Sequence, residues 1–239
     1  MAIDAQIRVE PATVADVPEL IELVNEGLNP EGDYNIYPHN AHGAKYATDV
    51  FEALLKADNS RVKLLVVRDA EGYPIATGTV YNIAAGDVFT SVWNDWGIPL
   101  QRGMKQEVLD KLFGAWTKRH NKLMGNQPRV CKCLSPNKTP SPCPSHRHFN
   151  LKWIPADYLS PVNTVVEALV TRNTWQKRGC ATAILAEADK IADEIDVPLF
   201  LDGAVPEFYK RRGYSELLND SGVEASAVPM LRKKKSERV

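Results

Sequence analysis

One continuous stretch constrains this chain more than any other. The apolar run Val165-Val166-Glu167-Ala168-Leu169-Val170-Thr171, within a strand expected over Thr164 to Thr171, leads through Arg172 to Trp175 into QKRGCATAILAEADKIA. The run reads as a buried strand, and Thr182 to Ile195 reads as an amphipathic helix, with Ala181, Ile184, Leu185, Ala188, Ile191, Ala192 and Ile195 at helical spacing on one face. Between them, Gln176 to Ala181 forms a turn rich in positive charge and small residues. The first amides of a helix have no intrahelical acceptor and sit at the positive end of its dipole. Such a junction binds phosphate-like anions. Gly179 and Ala181 leave room for a diphosphate to approach the backbone, and Lys177 and Arg178 add charge. The spacing is neither that of a Walker loop nor that of a dinucleotide fingerprint.

The flanking elements point to an α+β or α/β architecture with a mixed sheet. Ile7 to Val9 is a short strand broken by Pro11, and Thr13 or Asp16 caps a helix with Val17, Leu20, Ile21, Val24 and Leu28 on its inner face. Asp33 to Gly43 reads as a loop, and Tyr46 to Leu55 as a helix. Val62 to Arg68 and Tyr73 to Ile83 form an antiparallel hairpin across Glu71-Gly72. Ala84 to Gly103 is aperiodic, and Glu107 to Met124 is a longer helix stopped at Gly125. After the central strand and helix come a strand at Leu199 to Leu201, a short helix at Glu207 to Arg211 and a last strand at Glu224 to Leu231.

A formal net charge of -1 on 239 residues gives no general attraction to nucleic acid or acidic membranes. No apolar stretch reaches the ~18 residues a membrane span needs, and the first residues lack the pattern of a secretory signal. The four cysteines are then expected as thiols in a reducing compartment, the cytosol or the cytosol and nucleus. The basic run Arg232 to Lys235 reads as the start of a solvated tail, 232–239, after a single domain over 1–231.

Gln176-Lys177-Arg178-Gly179-Cys180-Ala181 resembles the acyl-CoA-binding motif of the GNAT superfamily of N-acetyltransferases, Q/R-x-x-G-x-G/A. Downstream, Phe208-Tyr209-Lys210-Arg211-Arg212-Gly213-Tyr214 resembles the apolar-Tyr element that ends the cofactor site in that family, at the interval the family shows. Ile7-Arg8 followed by Pro11-Ala12-Thr13 and Asp16 is similar to a GNAT start, and the helix at Glu107 to Met124 is similar to one seen in fungal-type members. Two positions depart from the pattern: Lys177 stands where the family often has Gly, and Asn173 where it often has Pro. The connection from Leu201 to Tyr209 is also slightly short.

The resemblance implies a GNAT fold, a mixed and mostly antiparallel sheet flanked by helices. It implies acetyl transfer from acetyl-CoA, as co-substrate, to an amine by direct attack in a ternary complex, without a metal. Gln176, Lys177, Arg178, Gly179, Cys180 and Ala181 would hold the cofactor, with the backbone of Ala168, Leu169 and Val170 along its pantetheine arm. Tyr209 matches the general acid. Glu167, the only carboxylate in the strand, is the candidate base; either it faces outward or it is buried for a reason. His120, beside Arg119 and Lys122, reads as solvated. Tyr34, Tyr37 and His39 lie where the family places acceptor-binding residues. The acceptor is a small-molecule or peptide amine. Rival readings are a non-catalytic acyl-CoA-binding module and an unrelated phosphate-binding protein. Cys180 is either a reactive thiol lowered by Arg178 or a small filler.

Residues 131–164 differ from their flanks. The run from Leu134 to Pro144 is too rich in proline for regular structure. Cys131, Cys133, Cys143, His146 and His148 lack a standard zinc spacing. Removing the segment joins Val130 to Val165 as one strand, so it also reads as a translated intron.

Overall fold

A computed structural model describes residues 7–29, 36–84, 87–125, 161–219, 222 and 227–238. Tyr34 and the cysteines and histidines of the segment from Cys131 to His148 lie outside these residues. The first strand, β1 (Arg8–Pro11), ends at the proline, and Thr13 and Asp16 then cap each other: the Thr13 amide and hydroxyl donate to Asp16 Oδ2 at 2.7 and 2.9 Å. Helix α1 (Val17–Gly27) follows with Pro18 in its first turn, where no amide is needed. Helix α2 (Ala41–Lys56) begins well ahead of the expected Tyr46, because the Asn40 side chain caps it by accepting from the amides of His42 and Gly43 at 2.9 and 3.3 Å.

Strands β2 (Val62–Arg68) and β3 (Pro74–Ala84) form the expected hairpin, with Gly72 taking φ 91° in the connection. The stretch read as aperiodic holds one turn of helix, α3 (Val92–Asp95), capped by the buried Ser91. The long helix is α4 (Gln106–Leu109), a π turn at Asp110–Gly114, and α5 (Ala115–Met124). Strand β4 (Pro161–Thr171) starts ahead of the expected Thr164, since Pro161, Asn163 and Thr164 pair with Ala84, Ile83 and Asn82 of β3. Then come α6 (Cys180–Glu194), β5 (Leu199–Gly203), α7 (Pro206–Lys210), a two-residue β6 (Ser215–Glu216) not anticipated from the sequence, and β7 (Val228–Arg232).

The seven strands form one sheet in the order β1-β2-β3-β4-β5-β7-β6, in which β4 and β5 are parallel and every other pair is antiparallel. One face packs against α1, α2 and α5 through residues such as Leu20, Phe51, Phe113, Val165 and Phe200. The other packs against α6 through Val80, Val166, Ile184, Ala188 and Leu201. This is the mixed α+β architecture expected. No helix among the described residues is long and apolar enough to cross a membrane.

Arg232 departs from the expected solvated tail, whereas Lys233 and Lys235 to Arg238 are exposed. Arg232 is the last residue of β7, pairs with Leu199, and is buried against Asp193 (2.9 Å) and Asp189 (3.2 Å) of α6. The Ser236 amide donates to Asp196. Acidic groups at the far end of α6 supply the partners that hold this segment down.

At the opposite edge, Arg68 binds Asp16 with both ends of its guanidinium, at 2.7 and 2.9 Å, and so ties the β1–α1 turn to β2. Burial alone would raise the Asp16 carboxyl, but its bonds from Arg68 and Thr13 outweigh it and hold the group below its ordinary range. Asp16→Asn should therefore cost about 1–3 kcal/mol at neutral pH. A depressed carboxylate stabilises above its unfolded pKa and loses that contribution as pH falls through its folded one. Melting curves of the two proteins should accordingly differ at neutral pH and converge in acid, below about pH 4.

Candidate functional site

The site begins as a fault in β4. Thr79 faces Glu167 and Thr77 faces Val170, so Ala168 and Leu169 together oppose Gly78 alone. Ala168 takes φ 55° to make this bulge. Gly78 admits it: a Cβ there would lie 2.9 Å from Ile184 Cγ2 and 3.3 Å from Leu169 Cδ1. On the other edge, pairing with β5 runs through Thr164–Leu199, Val165–Phe200 and Val166–Leu201, and no pair follows. Beyond Val166 the two strands diverge.

A cavity of about 150 Å³ occupies the divergence. Its polar groups come from Glu167, Asp202, His120 and Tyr209, and Leu28, Phe89, Trp116 and Phe200 supply apolar wall. Ala168 and Leu169 line it, whereas the Val170 side chain packs under α1, with Cγ1 2.3 Å from where a Cβ on Gly27 would stand.

Glu167 faces inward and is 7% exposed. Tyr81 donates its hydroxyl to Glu167 Oε2 at 2.8 Å, and Ser91 adds a second side-chain bond. Burial dominates, with these bonds opposing it and the charges of Asp202 and Asp95 adding to it, so the carboxyl is pushed up to about 7. Asp202 is likewise pushed up by burial, to about 6, against the pull of its ion pair with Arg119. Burial also raises the Tyr209 phenol, which Arg212 only partly offsets. Its ring lies against Gly203, where a Cβ would be 2.8 Å from Tyr209 Cδ2.

His120 corrects the expectation of a solvated side chain. It is 2% exposed, with its ring edge-on to Phe89 and Phe200 at 5.0 and 4.9 Å and Nε2 3.1 Å from Asn163 Oδ1. Burial lowers it to about 4, so it is neutral at physiological pH. The charged neighbours misled; His120 is four residues after Trp116 and shares its face. Arg119 is also buried, because Asp202 meets it. Tyr37 does not line the cavity: it stacks on Trp93 at 6.2 Å in the core, and His39 Nε2 lies 2.6 Å from the Asn29 carbonyl. Sequence reasoning missed Asp202, Tyr81 and Ser91. Asp202 carried the same signal as Glu167, a lone acid in an apolar strand.

At the C-terminal end of β4, Arg172 pairs with Glu19 (2.9 Å) and Glu26 (3.2 Å) of α1, which fixes the start of the turn. Gln176 donates to Asn173 at 2.9 Å, and the Arg178 guanidinium lies 4.9 Å over the Trp175 ring. Lys177 adopts φ 63°, a left-handed conformation that glycine takes without strain. Gly179 is at φ 99° and caps α6 with no side-chain bond. The first helical bond joins the Ala183 amide to the Gly179 carbonyl at 2.9 Å, so the amides from Gly179 through Ala181 to Thr182 have no acceptor within the helix. Cys180 is buried, and burial raises its thiol despite Arg178. That overturns the reading of an activated thiol and leaves the filler reading.

No protein-family model matches the sequence, and no curated protein matches it. Solved structures do. The chain is similar to a histone acetyltransferase HPA2 and related acetyltransferase from Corynebacterium glutamicum, with TM-score 0.52 and 15% identity over 98% of this chain and 99% of that one. It is also similar to the C-terminal condensation domain of Ebony in complex with beta-alanyl-dopamine, with TM-score 0.58 and 13% identity over 95% and 98%. At such identities the likeness is one of fold. What the chain shares with these structures is the α+β arrangement of a mixed sheet flanked by helices.

Proposed function

We propose that the protein is an acyl-CoA-dependent N-acyltransferase that moves an acetyl group from acetyl-CoA to an amine by direct attack in a ternary complex. The observation that carries this reading is the cavity in the β4–β5 divergence, where Glu167 and Tyr209 meet the bulged backbone of Ala168 and Leu169. The strand that bears it runs on into a helix whose first amides are open.

The turn suits the diphosphate of coenzyme A: the N-cap residue makes no side-chain bond to α6, and Gly179 and Ala181 are small. Gln176 to Ala181 hold that group through their backbone, with the charges of Lys177 and Arg178 nearby. The backbone of Ala168, Leu169 and Val170 pairs with the pantetheine arm and faces the charge that develops on the thioester oxygen. Glu167 takes a proton from the acceptor ammonium. The amine nitrogen then bonds to the thioester carbon, the carbon–sulfur bond breaks, Tyr209 protonates the departing thiolate, and the second proton that the nitrogen sheds restores the phenol. A buried carboxyl near 7 is divided between its two forms at neutral pH, as a base needs. A phenol raised by burial stays protonated, as an acid needs.

Acetyl-CoA should raise the melting temperature of the full chain, and Gly179→Ala should reduce that rise, because a Cβ at φ 99° strains the turn and crowds the amides. A wild-type protein that shows neither a melting shift nor binding heat with acetyl-CoA would remove the enzyme reading. Glu167→Gln is expected to lower kcat/KM by about 10²–10⁴. In the wild type, activity should decline as pH falls below about 7, where Glu167 takes up a proton. The same substitution should gain stability over the wild type as pH rises from about 4.5 to about 7. The reason is that an acid with a raised folded pKa favours the folded state below its unfolded value and loses that contribution through this window.

A further inference from the structure

The chemistry of the acceptor can be read from the same cavity, an inference that rests on the function proposed above. The phosphate-binding turn opens α6, which covers one face of the sheet. Leu28, Phe89, Trp116 and His120 close the cavity from the other face, where α1 and α5 pack. Cofactor and acceptor therefore approach from opposite sides of the sheet and meet through the gap between β4 and β5.

On the acceptor side the charges are few. Asp202 is held by Arg119. His120 is neutral, and its Nε2 is engaged with Asn163. Among the described residues, Glu167 has hydrogen bonds from Tyr81 and Ser91 and no ion pair. One acid is thus free to receive one ammonium. A second cation on the acceptor would lie against Phe89, Trp116 and Phe200 with no further acid in the cavity lining to meet it, at a desolvation cost; Asp95, whose charge reaches Glu167, lies outside that lining.

The space is also limited. About 150 Å³ is close to the size of an apolar cavity that holds a single benzene ring, and the reacting thioester takes part of it, so only a small acceptor body fits. A larger hollow of about 320 Å³ lies beyond Tyr81 and Phe89, but its Arg61 and Asp87 pair with each other. Tyr81 is fixed as the wall between them by its bond to Glu167 and by its edge-on contact with Phe89 at 5.2 Å. The body of the acceptor stops there.

We propose that the acceptor is a compact monoamine, with its ammonium on Glu167 and an uncharged, ring-sized apolar body among Phe89, Trp116 and Phe200. Polyamines and lysine side chains of proteins are then poor acceptors. Coenzyme A thiol release by the full chain with acetyl-CoA should be compared for 2-phenylethylamine, spermidine and an amide-blocked lysine, alongside the acetyl-CoA melting shift. The first amine should exceed both others by about tenfold or more in kcat/KM, as burial of a ring gives. Trp116→Leu should raise KM for 2-phenylethylamine several-fold while the acetyl-CoA melting shift persists; an unchanged KM counts against the assignment. A normal melting shift with spermidine or lysine equal or preferred, or with no turnover of 2-phenylethylamine, overturns the acceptor assignment alone. Absence of the melting shift overturns the cofactor reading and this one with it.

Discussion

The bulge at Ala168 and Leu169 determines which side chains can share the cavity. In an unbroken strand, Glu167 and Val170 would point to opposite faces of the sheet. One extra residue opposite Gly78 resets the alternation. Val165 and Val170 then belong to the core beneath α1 and α2, while Val166 and Leu169 pack on the α6 side. Glu167 is turned inward toward Tyr81 on the first of these faces. The same irregularity falls where β4 stops pairing with β5, and a parallel pair that separates leaves a gap lined by backbone polar groups. Gly78 on β3 and Gly203 on β5 permit the arrangement from either side, one beneath Leu169 and Ile184 and the other beneath the Tyr209 ring.

Burial then sets the electrostatics. Glu167, Asp202, His120 and Tyr209 line one small space, and desolvation is the leading influence on each. It raises the two carboxyls and the phenol and lowers the imidazole, so every group is shifted toward its neutral form. What separates the groups is their partners. Asp202 has a guanidinium and Glu167 has only hydroxyl donors, and Glu167 is the more strongly raised of the two, to about 7 against about 6. At the turn before α6 the logic is reversed. The charged side chains of Lys177 and Arg178 stay exposed, while the buried Cys180 fills space.

Local patterns were legible where a single element fixes its own geometry. The hairpin over Val62 to Arg68 and Tyr73 to Ile83 lies within a residue of the observed strands. The amphipathic pattern of Thr182 to Ile195 corresponds to α6, which begins slightly earlier at Cys180. Boundaries slipped where a cap or a partner strand decided them. Asn40 starts α2 early, Pro161 to Asn163 are drawn into β4 by β3, and the acids of α6 hold Arg232. His120 and Arg119 were misplaced because charge in a helix reads as exposure, and only a buried acid on a distant strand, Asp202, explains why an arginine points inward.

By itself the sequence determined the strand–turn–helix unit, the helix start near Gly179 and the presence of an acid in an apolar strand, since each of these follows from the spacing of neighbouring residues. The tertiary structure decided which way that acid faces, that β4 and β5 part beyond Val166, and that Tyr81, Ser91, His120 and Asp202 gather around the gap. Those depend on register and on packing between residues as far apart in the chain as Tyr81 and Glu167. A one-residue bulge reverses facing without altering composition or hydrophobic pattern, so local sequence carries no trace of the outcome.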